Sequence, residues 1–347
     1  VVIDGSTEPD YSGTPVVELD GQNAGSSANG LSFGGFESTV HALASVNFFG
    51  GTGITGFASG RVTVTGCHIG VRADGVTPAG NRVGVVVGRG SQIGGPGAND
   101  ANIIGGNDDL GISARDNTTI EGNFIGTNPA GDDLGNGFAN FGAGIEIVGE
   151  SGVVIGGTAP DAANVIAHNN RGIWMRSLGG TPIGNSIRGN AIFGNGGIGI
   201  DLAADNRTTN DAGDDDDGPN RLQNFPEIQS AELTGNGDLE VTYTVPSDPN
   251  AGGSGASAYP LAVDFYKADA DDQEGRAYLG TDAYSASSPD DYGGCGSTPC
   301  TVTTTVNPPS SVSLSENDDI VATATDANGN TSEFSAVAEK LPVELAS

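Results

Sequence analysis

The chain has 347 residues, 58 of them glycine, and carries 44 acidic against 13 basic side chains, a formal net charge of −31. So few Lys and Arg exclude an unassisted nucleic-acid interface, because neutralising phosphates needs clustered cations. No apolar stretch reaches the roughly 20 residues of a membrane-spanning helix, and glycine at more than twice the roughly 7% of ordinary chains, without a collagen period, points to short strands and tight corners.

Residues 1–4, Val-Val-Ile-Asp, already read as a strand, and no methionine precedes them. The expectation is a chain cut from a longer precursor. Short β-rich pieces follow at 15–20, 61–65, 82–87, 144–148, 172–175 and 197–202, separated by Gly, Asn and Asp. Two of these stretches echo each other. Gln92-Ile93-Gly94-Gly95, Ala101-Asn102-Ile103-Ile104 and Gly111-Ile112-Ser113 return as Val154-Ile155-Gly156-Gly157, Ala163-Asn164-Val165-Ile166 and Gly172-Ile173-Trp174. The offset is 62 residues, slipping to 61 at the last element. A fixed period means units that bury their apolar faces on one another. Around Gly66, Gly122 and Gly189, an aliphatic residue stands two places before the glycine and another three after it. This pattern predicts coils of three short strands with aliphatic side chains turned inward. A 62-residue unit then holds two or three coils. A β-propeller fits less well, because the strands are very short and its aromatic signatures are missing.

The segments 120–131, 154–166 and 197–202 resemble secreted bacterial right-handed parallel β-helix repeat proteins, which share the pectin-lyase-like fold. The resemblance covers roughly residues 1–228 and implies an all-β chain with a parallel β-helix over 1–202. It speaks for fold more than for activity: some such proteins are surface or secreted proteins, and others cleave or epimerise polysaccharides.

Residues 203–224 form an acidic linker, with Asp211-Ala212-Gly213-Asp214-Asp215-Asp216-Asp217 at its centre. Over 225–340 the strands lengthen and alternate, at 239–245, 261–266, 300–306, 319–325 and 332–338, as in an antiparallel β-sandwich. Residues 319–335 resemble the end of bacterial immunoglobulin-like or fibronectin-like modules. The tail 341–347 resembles the connector that precedes further modules in cargo of the type IX secretion route.

Cys295 and Cys300 close a short loop, which predicts a local disulfide and an oxidising setting; Cys67 reads as a small buried side chain. Asn210, Asp211, Asp214 and Asp216 offer oxygens at alternating positions near Gly218, the donor set of a structural Ca²⁺ clamp. The other reading of this loop is a solvated linker. If the chain were a polysaccharide lyase, His168, Arg171, Arg176 and Arg188 are the candidates for proton abstraction, since 1–202 contains no lysine. The adjacent pairs Asp108-Asp109, Asp132-Asp133 and Asp290-Asp291 do not face each other as a glycosidase pair must. Trp174 and Phe48, Phe49, Phe124, Phe138 and Phe141 read as core stacks or corner fillers, with a sugar platform as the other reading.

These features favour an extracellular or cell-surface structural or adhesive protein without catalysis, with head-to-tail assembly into a filament as one expected behaviour. The partners expected are further copies of the chain, other cell-surface components or polysaccharide, with no nucleic acid and no membrane insertion. A carbohydrate-active β-helix enzyme and a carbohydrate-binding module remain the alternatives.

Overall fold

The computed structural model describes residues 1–35, 37–57, 60–138, 142–203, 206–250, 256–271, 273–285 and 299–337. The first part is a three-sided parallel β-helix. Three sheets of seven strands run its length, and each sheet takes every third strand of the chain. One strand from each sheet makes a coil, so seven coils stack. Coil 1 contains Val2–Asp4, Val17–Asp20 and Leu31–Phe33; coil 7 contains Ser186–Arg188, Ala191–Phe193 and Ile200–Leu202.

The aliphatic positions form rows along the axis. On the first sheet, Val40, Val64, Ile93, Ile120, Ile155 and Ile187 pair in register. On the second, Ile69, Ile104, Ile125, Ile166 and Ile192 do so. On the third, Ile54, Val85, Ile112, Ile145, Ile173 and Ile200 align. All of these are buried. Each side chain contributes roughly 1.5–3 kcal/mol only when a neighbouring coil covers it, which is why the units stack. Ile93 pairs with Ile120, 27 residues on, and Ile120 with Ile155, a further 35 on. The 62-residue echo therefore spans two coils.

Two asparagine ladders hold the corners. In each, the backbone N–H and the side-chain Nδ2 of one Asn both donate to the Oδ1 of the next Asn. The first ladder runs Asn102, Asn123, Asn164, Asn190. The second runs Asn81, Asn107, Asn136, Asn169, Asn195. Parallel strands leave their corner amides unpaired, and a buried amide must find a partner. Asparagine supplies a donor and an acceptor on a side chain short enough to stay in its own corner.

Beyond the linker, two three-stranded antiparallel sheets face each other. Glu227–Leu233, Leu239–Thr244 and Val302–Val306 form one; Gly275–Tyr284, Leu261–Ala268 and Ile320–Thr325 form the other. Tyr243, Phe265, Tyr284, Val241, Val263 and Leu279 fill the space between them. The strand Gly275–Tyr284 is not legible as a strand in the sequence, since acidic residues precede it and Gly280 interrupts it. Residues 332–337 are not a strand but still cover the edge of Ile320–Thr325, with Ser332 and Ser335 N–H donating to Ala324 and Ala322. The tail 341–347 lies outside the described residues.

The sandwich closes coil 7 with side chains in place of an eighth coil. Asn195 ends the second ladder by donating from its N–H and Nδ2 to the two carboxylate oxygens of Glu274, at 3.0 and 2.8 Å. Asn330 Oδ1 accepts from Gly184 N–H, Thr331 Oγ1 from Ile187, Tyr266 OH from Gly189, Asp269 Oδ2 from Gly194 and Glu333 Oε1 from Leu202. From the linker, Asn220 Oδ1 accepts from Asn185 N–H. Tyr266, Ala268, Val321 and Phe334 join the apolar core of the β-helix, so a single core crosses the junction. Gly275 is required there: a β-carbon on it would stand 2.6 Å from the Phe334 ring.

Candidate functional site

The acidic loop folds onto the sandwich around Asp214, which is fully buried. Its Oδ1 accepts from Asn224 N–H at 2.9 Å; its Oδ2 accepts from Gln223 Nε2 at 2.7 Å, Ser247 Oγ at 3.0 Å and Ser257 Oγ. Asn224 ties the loop further, accepting from Asp211 N–H and donating to the Asp211 and Pro246 carbonyls. One carboxylate oxygen from each of Asp211, Asp214 and Asp216 lies within 4.8 Å of the others. Burial pushes Asp214 up to about 7. Burial, followed by the charge of Asp211, pushes Asp216 up to about 6. Of the three crowded carboxylates, Asp211 and Asp216 each leave a buried oxygen, Oδ1 in both, without a protein donor. Asn210 stands apart from them: its Oδ1 accepts from Phe225 N–H and its Nδ2 donates to the Phe225 carbonyl and Glu227.

The sequence did not single out a second acidic group, Asp269, Asp271 and Glu274. Burial pushes Glu274 up to about 8, against the two donors of Asn195. The only signal for it was the acidic run between two strands, which reads as a solvated loop until coil 7 is placed beneath it.

The four lyase candidates do not gather at one site: Arg171 and Arg176 meet over Trp174, away from Arg188 at the junction. Arg188 lies at the junction, its guanidinium donating to both oxygens of buried Asp264 at 2.7 Å each. Arg176 pairs with Glu146, and Arg171 with Asp201 at 3.7 Å. Both guanidinium groups flank Trp174, at 4.2 and 4.7 Å from its centre. Trp174 points away from the core yet is only 3% exposed. The other β-helix arginines are paired too: Arg61 with Glu37, Arg72 with Glu18, Arg82 with Asp109, Arg89 with Asp116 and Arg115 with Glu150. Most of these pairs join one coil to the next.

His168 sits on the outer corner between the second and third sheets, with its ring edge-on to Phe193 at 6.2 Å. It lines an open concavity of about 400 Å³ together with Asp133, Phe138 and Asn170. Phe138 is 77% exposed and Phe49 57% exposed, so neither fills a corner; Phe48 does, at 4%. Phe141 and the pair Asp290-Asp291 lie outside the described residues. Cys67 is buried and free, and burial pushes its thiol up to about 12. Cys300 is disulfide-bonded; Cys295, the partner expected from sequence, lies outside the described residues.

No protein-family model matches the chain, and no curated protein matches it. Among solved structures it is similar to the full-length tailspike protein 2 of Escherichia coli O157:H7 bacteriophage CAB120, at 10% identity and a TM-score of 0.33. The match covers 92% of this chain and 60% of the tailspike, so the chain spans about three-fifths of that protein. Among the described residues, no helix is long and apolar enough to cross a membrane.

Proposed function

We propose that this chain is an extracellular or cell-surface structural and adhesive protein, a rigid β-helical rod without catalysis. The observation that carries this reading is the commitment of all eight β-helix arginines to carboxylates. A lyase base must meet its substrate's α-proton, and these guanidinium groups instead neutralise carboxylates of other coils or, for Arg188, of the sandwich. Incubation with polygalacturonate, alginate and hyaluronate is expected to generate no unsaturated-sugar absorbance. Steady product formation would overturn the reading in favour of a carbohydrate-active enzyme. Because the chain's own sandwich covers coil 7, head-to-tail assembly on this reading joins subunits through other surfaces.

The same reading includes a Ca²⁺ ion held by Asp211, Asp214 and Asp216, supported by the orphaned oxygens of Asp211 and Asp216. Its role is to clamp the linker to the sandwich. Without cation, Asp214 and Asp216 titrate near 7 and 6 when folded but near the ordinary carboxylate value when unfolded. The folded state therefore holds extra protons between about pH 4 and 7, and stability falls as pH rises through that window. In chelator the protein is expected to melt at a lower temperature at pH 8 than at pH 5. Ca²⁺ at a hundredfold excess over Kd is expected to restore about 2.7 kcal/mol at pH 8. Asp211→Asn should abolish that response, and a wild type that ignores Ca²⁺ would remove the ion from the reading.

A further inference from the structure

His168 occupies a backbone step that other coils give to glycine. Its φ is +62°, immediately before Asn169 of the second ladder; the same step holds Gly106 (φ +68°) before Asn107 and Gly194 (φ +63°) before Asn195. A residue with a β-carbon is strained in this region, and such strain collects at binding and switching sites. The concavity beside His168 is walled on one side by Gly194 and Gly196, which present no side chains. On the other side stands Phe138, the most exposed large apolar side chain of the described residues, with Asp133 and Asn170 nearby.

We propose that this concavity binds one neutral saccharide unit of a glycan. An exposed aromatic ring offers a face for the C–H groups of a sugar, and a few polar side chains around it fix orientation. Charge selects against acidic sugars. The β-helix arginine nearest in sequence, Arg171, is paired with Asp201, Asp133 lines the site, and the chain carries a net charge of −31. The inference rests on the surface-protein reading and deepens it by naming a partner class.

The test is binding of the full chain to immobilised neutral oligosaccharides (gluco-, galacto- and manno-series) beside polygalacturonate and alginate. Wild type is expected to retain a neutral series and not the acidic polymers. Phe138→Ala and His168→Gly should each weaken that binding by at least about tenfold, a loss readable in Kd. His168→Gly should also raise the melting temperature, because glycine adopts a φ of +62° without strain. A purely structural His168 would change stability and leave binding untouched. Variants that bind like wild type, or a wild type preferring acidic polymers, would overturn the proposal. A wild type that binds no saccharide yet adheres to cell surfaces overturns this inference alone; one that does neither overturns the adhesive reading as well.

Discussion

Arg188→Ala is expected to destabilise the protein by about 3–5 kcal/mol, because it leaves a buried carboxylate unpaired at the domain junction. Asp264 is completely buried and receives two bonds of 2.7 Å from the guanidinium. The same guanidinium donates to Thr281 at 3.1 Å, so it joins coil 7 to two strands of the sandwich. Removing only the cation keeps the full desolvation cost of the anion. Removing both charges removes that cost, so Arg188→Met with Asp264→Leu should recover most of the loss. Denaturant unfolding at pH 7 measures both. A single-variant loss below about 1 kcal/mol, the range of exposed pairs, would show that the junction does not depend on this bridge.

Asn136→Ala should cost about 1–3 kcal/mol, by a different route. The Asn136 side chain accepts from Asn107 N–H and Nδ2 and donates to the Ile104 carbonyl. In this buried corner truncation strands the Asn107 N–H, at about 1–3 kcal/mol, while Asn107 Nδ2 keeps the Ile69 and Gly105 carbonyls and the Ile104 carbonyl keeps Gly126 N–H. Exposed Asn236 is the control, and its alanine variant should stay within about 0.5 kcal/mol of wild type. Equal effects at the two positions would mean that the ladder does not hold the stack.

Much of the scaffold was legible because it obeys a local rule. Val64, Ile120 and Ile187 announce an inward row by their spacing from glycine, and Asn102 and Asn164 recur at matching places of the 62-residue echo. The individual coil was harder to see, because corner loops differ in length and only every second coil repeats closely. The strand Gly275–Tyr284 stayed hidden because pairing with Leu261–Ala268 overrides its weak local pattern. The donor set near Asp214 was half legible. Alternating carboxylates marked Asp211, Asp214 and Asp216, while Gln223, Ser247 and Ser257 come from outside the loop. Phe138 was misread as a filler, because composition does not say which aromatic side chains remain uncovered.

From the chain of residues alone follow the repeating coil, the inward aliphatic rows, the acidic linker and the change to longer alternating strands. Each is a matter of periodicity within one segment, where backbone geometry sets which side chains share a face. Only the tertiary structure decided that Glu274 serves as the last rung of an asparagine ladder. It also decided that Asp264 neutralises Arg188 and that every β-helix arginine is already paired. These are contacts between segments tens of residues apart. Charged side chains have no periodic signature, so their partners are set by which surfaces the fold brings together.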